Sequence, residues 1–377
     1  MLNYIIPFLF LILVVVFIHE YGHFYFAKKF GVGVTDFSIG FGKEIFGWND
    51  RSGTRWKICM IPLGGYVKFF GDRNVFSQAD QEKILKQYNK EDQDKLFVLK
   101  PLYQRVLIVF GGPLANFLLA ILIFFSVYMF AGKDFTPAVI NEVQKNSPAI
   151  TAGLKVNDII VSIDDNEVKS IMEVSKFIMM STDDFINFTI TRSGQNLTFR
   201  VKPNLVEGED NLGNKIKKRM VGIKLGAYNN QVNHVKLGPV KALFYAVNEV
   251  YYVSISSLKY IGGMITGSGD SSQLGGPIRI AKISGQVAEF GILPFISLMA
   301  YISISLGLIN LFPIPMLDGG HLMFYAIEKV LGRPLSQKVQ EGFFRIGMFL
   351  LLSLMFFTTF NDLKDVGLFK FFNNYIS

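Results

Sequence analysis

An unbroken apolar run, Ile5–Ile18, leads straight into His19-Glu20-Tyr21-Gly22-His23. No other feature constrains the fold as much. The run is long enough to enter a bilayer, and it carries two imidazoles and a carboxylate to membrane depth. Such residues are costly there and mark a functional site. On a helix, His19 and His23 stand one turn apart on the same face. Two neutral imidazoles in that arrangement can hold Zn²⁺, and Glu20 beside them can serve as a general base.

Composition agrees with a membrane chain carrying some soluble mass. Half of the 377 residues are hydrophobic, 14% are aromatic and only 18% are charged. The net charge of +8 is spread over polar loops. That pattern suits bilayer electrostatics and does not form a nucleic-acid patch. The single cysteine, Cys59, excludes an intrachain disulfide and any CxxC metal or redox site. The start MLNY has no basic region and the apolar run has no small-residue cleavage site, so the first segment is expected to be a retained transmembrane helix.

Four segments are expected to span: Ile5–Phe30, Val106–Phe130, Leu293–Phe312 and Phe344–Phe360. Lys28 and Lys29 close the first span, and Lys43, Arg51, Arg55, Lys57, Lys68, Arg73, Lys100 and Arg105 lie in the next loop. The positive-inside rule places loops 31–105 and 317–341 in the cytoplasm and the 132–290 region outside. At 1.5 Å per residue, His19 lies roughly 21 Å beyond Ile5, inside a core about 30 Å thick and nearer its cytoplasmic face.

Residues 54–71 read as two short strands around Pro62-Leu63-Gly64-Gly65, a hairpin signal. In Phe110-Gly111-Gly112-Pro113-Leu114-Ala115-Asn116-Phe117 the small residues permit close helix approach. The charged segment 76–100 reads as a surface helix. Residues 234–262 read as an interfacial helix, with a fifth span left open.

Residues 136–203 change character. The order strand, short helix, strand, helix, hairpin describes a compact α+β domain, and it resembles a bacterial PDZ domain. The resemblance rests on Ser147-Pro148-Ala149, Ala152-Gly153-Leu154, Asp158-Ile159-Ile160 and Arg192-Ser193-Gly194. Asn157 stands where that family usually has glycine, and asparagine tolerates positive φ. PDZ domains bind extended peptides or C-termini by strand addition.

A catalytic zinc normally takes three protein ligands. The third is open on spacing alone. Pro313 and Pro315 break the end of the third span and place Asp318 at the level of His23, yet an Asp before Gly319-Gly320 equally suits a loop cap. His234 falls on the far side by charge asymmetry, and His321 lies three residues beyond Asp318.

Together, HEYGH in the first span, the Gly64-Gly65-Tyr66 loop, FGGPLANF and Asn310-Leu311-Phe312-Pro313-Ile314-Pro315-Met316-Leu317-Asp318-Gly319-Gly320 resemble the site-2 protease family of intramembrane zinc metalloproteases. The single inserted PDZ-like region resembles the bacterial regulator of sigma-E protease branch. The resemblance implies a polytopic α-helical membrane protein with about four transmembrane helices, a membrane-associated β-hairpin and an inserted α+β PDZ domain. It implies one Zn²⁺ per chain held by His19, His23 and Asp318, with Glu20 as base. It assigns Asn310, Gly64, Gly65 and Tyr66 to the substrate, with His321 as a supporting or packing residue. The implied partners are transmembrane substrates such as anti-sigma factors or remnant signal peptides, a peptide or C-terminus at the PDZ domain, and the lipid bilayer of the bacterial inner membrane. The expected domains are 1–131 and 291–377 for the protease core, 132–205 for the PDZ domain and 206–290 for a connector. A non-proteolytic PDZ receptor and a membrane zinc sensor or transporter are the rival readings.

Overall fold

The computed structural model describes residues 2–71, 88–181, 183–209, 215–227, 232–266 and 275–365. The first part runs α1 (Leu2–Lys29), β1 (Val34–Asn49), β2 (Arg55–Phe69) and α2 (Leu102–Phe130). Next come β3 (Ala138–Val143), α3 (Pro148–Ala152), β4 (Ile159–Ile163), α4 (Ile171–Met180), β5 (Ile186–Arg192) and β6 (Gln195–Val201). β7 (Asn204–Glu209), β8 (Lys215–Met220), β9 (Ile223–Ala227) and α5 (Pro239–Ile265) follow. The chain closes with α6 (Pro277–Glu289), α7 (Ile292–Leu311), α8 (Asp318–Leu331) and α9 (Gln337–Asp365). Two compact units result, one from residues 1–123 and 275–363, the other from 124–274 with 364–377.

Among the described residues, four helices are long and apolar enough to cross a membrane: α1, α2, α7 and Gln337–Leu363 of α9. In the first unit, Leu11 and Val15 of α1 pack with Phe295 and Met299 of α7. Glycines set the closest approach. A Cβ on Gly22 would lie 2.1 Å from the Gly111 carbonyl oxygen, so α1 and α2 touch backbone to backbone. Asp362 of α9 is buried and accepts the backbone N–H groups of Gly276, Ile278 and Arg279 at 2.9–3.1 Å, capping the start of α6.

The strands near the site differ from a simple hairpin. Residues 55–58 and 65–68 of β2 do flank a bend at Pro62-Gly64, but they do not pair with each other. Residues 36–39 of β1 lie between them, with Phe37 opposite both Trp56 and Val67, and Ser38 opposite both Lys57 and Tyr66. Residues 46–49 then pair with 55–58 from the outer side. The segment order is therefore 65–68, 36–39, 55–58, 46–49. β1 bends through Gly40 and Gly42, both at positive φ, where a Cβ on Gly40 would meet the Ile61 carbonyl oxygen at 2.8 Å. Phe37 is fully buried and stacks on Trp56 at 4.2 Å between ring centroids. The connection between the two strands is an Asx turn in which Asp50 Oδ1 accepts from the Ser52 and Thr54 backbone N–H groups.

Two further expectations are corrected. The expected 76–100 helix falls outside the described residues over 76–87. Beyond them it forms only short turns at Lys90–Gln93 and Phe97–Leu99. Leu96, Phe97 and Val98 are buried with Ala27, Val32 and Val34, so this part is core and not a solvated face. The connection 317–341 carries a helix that the sequence reading did not assign: α8 occupies Asp318–Leu331 and ends on Gly332 in the left-handed region. Arg105 of α2 ties α8 in place through a buried ion pair to Glu328 at 2.5 Å and lies over the Tyr325 ring.

In the second unit the sheet order is β9-β3-β4-β5-β6, with all neighbours antiparallel. Ile140, Ile160, Ile163, Phe188 and Ile190 are fully or almost fully buried on one face of it with Val174 of α4. Asn157 adopts φ 71°. Buried Asp158 accepts from Arg192 at 2.7 Å through both oxygens, pinning the turn before β4 to the end of β5. The sheet takes its edge strand β9 from residues beyond 205, so the domain draws on chain that the sequence assigned to a connector. β7 and β8 pair as a separate two-stranded ladder. α5 is a continuous helix of 27 residues, long enough to cross a membrane but not among the four helices apolar enough to do so.

Candidate metal centre

His19 and His23 share one face of α1, as the four-residue spacing dictates. Asp318 arrives from the other end of the chain. α7 ends at Leu311, Phe312 is extended, Met316 takes a positive φ of 85°, and Asp318 opens α8. Gly319 and Gly320 make that reversal feasible. A Cβ on Gly319 would sit 2.2 Å from the Phe312 carbonyl oxygen, and one on Gly320 2.5 Å from that of Ile314.

The three side chains converge. Asp318 Oδ2 lies 3.1 Å from His19 Nε2 and 3.4 Å from His23 Nε2, and the two imidazole nitrogens are 3.3 Å apart. Among the described residues this is the cluster whose ligand atoms all fall within 4.8 Å of one another. His23 Nδ1 donates to the Ile108 carbonyl oxygen at 2.9 Å, which leaves its Nε2 lone pair turned to the cluster. Asp318 Oδ2 is buried and receives no hydrogen bond. A buried carboxylate oxygen facing two imidazoles, with no donor of its own, fits a divalent cation of zinc's preferences. Gly112 of α2 backs the cluster. A Cβ there would meet His23 Nε2 at 2.3 Å and His19 Cε1 at 2.9 Å.

A cleft of about 630 Å³ opens on the cluster, and Glu20, Gly64, Gly65, Tyr66, Asn310 and His321 all line it. The backbone N–H of Val67 is directed to the Glu20 carboxylate. Tyr66 stacks on Phe41 and its hydroxyl accepts from Lys57 Nζ at 3.3 Å. Lys57 also pairs with Asp36 at 2.5 Å. Burial works against the Asp36 charge, but the hydrogen bonds from Lys57 and Thr35 hold its carboxyl below the usual carboxylate range. His321 packs against the Phe344 and Phe324 rings. Sequence reasoning passed over Asn116, whose side chain is fully buried and meets His19 Nδ1 at 3.1 Å. It stands in FGGPLANF, a stretch read only for its small residues.

A paired-histidine HExxH helix, a converging carboxylate and a line of apolar helices define a membrane metalloprotease. The family model for peptidase family M50 matches residues 7–354, and the chain belongs to that family, the site-2 proteases. An Agrobacterium fabrum protein named as a zinc metalloprotease (Atu1380) is 42% identical over 364 residues, covering 97% of this chain and 96% of its own. One from Mesorhizobium japonicum (mll0638), also so named, is 39% identical and covers 96% and 99%. Metalloprotease MmpA of Caulobacter vibrioides is 33% identical and covers 97% of each. The solved PDZ domain of a Listeria monocytogenes SdrC-like protein aligns with 24% of this chain and 88% of its own at 23% identity. Its TM-score is 0.20, too low to support a statement about this chain.

Proposed function

We propose that this metalloprotease cleaves membrane-protein substrates within or near their transmembrane segments, as the second cut of a regulated pathway of the anti-sigma factor type. The observation that carries the reading is the meeting of His19, His23 and Asp318 beside Glu20, in the C-terminal half of an apolar helix. On this reading His19, His23 and Asp318 hold one zinc ion. Zinc there supplies a Lewis acid for the scissile carbonyl and makes water acidic enough to ionise near neutral pH. Glu20 accepts the proton of the attacking water and returns it to the leaving amine. Asn310 offers its amide N–H to the developing oxyanion.

A transmembrane helix hides its carbonyls in its own hydrogen bonds, so the substrate must unwind before it can be cut. Residues 65–68 form one edge of the β1–β2 sheet, and Gly65, Tyr66 and Val67 line the cleft. They would receive the unwound strand by β-addition. Gly65 lets this segment lie close against α1 and β1: a Cβ there would lie 2.9 Å from Glu20 Cγ and 2.8 Å from the Ser38 carbonyl oxygen, so a larger side chain must displace the strand. Gly65→Val is expected to slow cleavage at least tenfold while zinc content stays near one per chain. Unchanged turnover in the folded variant removes this strand from the substrate path.

The 138–227 sheet domain is read as a PDZ domain outside the membrane. It would filter substrates already trimmed on that side, with the metal site toward the cytoplasmic face. The direct test is hydrolysis of a model transmembrane peptide by purified protein in proteoliposomes. Cleavage that stops with a zinc chelator and returns with added zinc supports the reading. Stoichiometric zinc without cleavage of any transmembrane peptide favours the zinc-sensor alternative.

A further inference from the structure

Asn116 lies with its amide nitrogen 3.1 Å from His19 Nδ1 and its Oδ1 buried without a partner, and a half-turn of the amide exchanges the two atoms. Which end faces the imidazole decides where the His19 proton sits. If the amide nitrogen donates to Nδ1, the proton must be on Nε2. That nitrogen is 3.1 Å from Asp318 Oδ2 and 3.3 Å from His23 Nε2, so the proton would occupy the space between the three side chains. If Oδ1 faces the ring instead, Nδ1 carries the proton and Nε2 presents a lone pair to the cluster. His23 is already held in that second state by the Ile108 carbonyl.

We propose that Asn116 is the positioning residue for His19: its Oδ1 accepts the Nδ1 proton and sets the ring in the tautomer that binds a cation. The inference rests on the metal-site reading above. The surroundings fit an anchored orienting group. The Asn116 backbone carbonyl accepts from Ser303 Oγ of α7 at 2.9 Å, and both residues are fully buried. A Cβ added to Gly307 of the same helix would lie 3.4 Å from Asn116 Cβ, so α7 passes close to this residue. Groups that receive the distal N–H of a ligating histidine typically govern about 10- to 100-fold in metal affinity.

The test is zinc affinity by competition with a chelator, measured on the full-length protein in detergent. Asn116→Asp keeps an acceptor oxygen and removes the donor. Asn116→Leu removes both at similar volume. The expected result is affinity at or above wild type for Asn116→Asp and about 10- to 100-fold weaker binding for Asn116→Leu. Thermal melting of the zinc-free proteins checks that both variants fold alike. If both lose zinc, Asn116 acts by packing and the inference is overturned. If Asn116→Leu binds as wild type, or Asn116→Asp alone fails, it is also overturned. A misfolded Asn116→Leu is replaced by Asn116→Ala, which keeps the same readout. Folded wild-type protein that binds no zinc would instead sink the metal-site reading itself.

Discussion

Glu20→Gln should leave zinc bound and reduce cleavage by about 10²- to 10⁴-fold. The amide keeps the volume and the cleft position of the carboxylate but cannot accept a proton. Glu20 lines the cleft beside Gly65 and is not one of the three converging ligand candidates. Two measurements decide the matter, metal content of the purified variant and turnover of a transmembrane peptide. Loss of zinc from a folded Glu20→Gln protein would move Glu20 into the ligand set. Because a trapped complex should accumulate, the same variant is the natural bait for the substrate, identified by mass spectrometry of co-purifying membrane proteins.

Asp318→Ala should abolish both zinc retention and cleavage. Two imidazoles from one helix make an incomplete site, and a catalytic zinc normally needs a third protein ligand. Asp318 Oδ2 is the atom that closes the set at 3.1 and 3.4 Å. Its removal also leaves His19 and His23 facing each other without a counter-charge. Asp318→Asn is the milder companion, expected to weaken zinc while keeping shape. Wild-type zinc content in Asp318→Ala would take the carboxylate out of the site and promote His321, which lines the same cleft.

How much of this was legible in the sequence depends on the range of the interaction. The HEYGH face follows from helical spacing, so α1 was readable at once. The break between α7 and α8 was readable from Pro313 and Pro315, which together interrupt the helix between Leu311 and Asp318. The insertion of residues 36–39 between two segments of β2 was not readable. Gly40, Gly42 and Gly47 interrupt the apolar alternation of β1, and pairing between non-adjacent segments leaves no local mark. α8 was not assigned within the 317–341 connection, although Phe324, Ile327 and Leu331 keep a helical period. Asn116 was missed for a different reason. A polar residue among glycines in an apolar helix looks like a packing device until its partner, 97 residues earlier in the chain, is located.

The origin of the three converging side chains has a consequence for the life of the protein. His19 and His23 are made first, and Asp318 follows 295 positions after His23 (318 − 23). A ribosome that has delivered the first two helices and the whole extramembrane sheet has still not supplied the carboxylate. On the proposed ligand set, the nascent chain would therefore lack a complete metal site until synthesis passes Asp318. An ion that finally joins the two ends also closes a loop of nearly three hundred residues, whose entropy the open chain would otherwise retain. With that ligand set, zinc would double as a seal on a finished product, because a chain truncated before Asp318 would lack its third ligand.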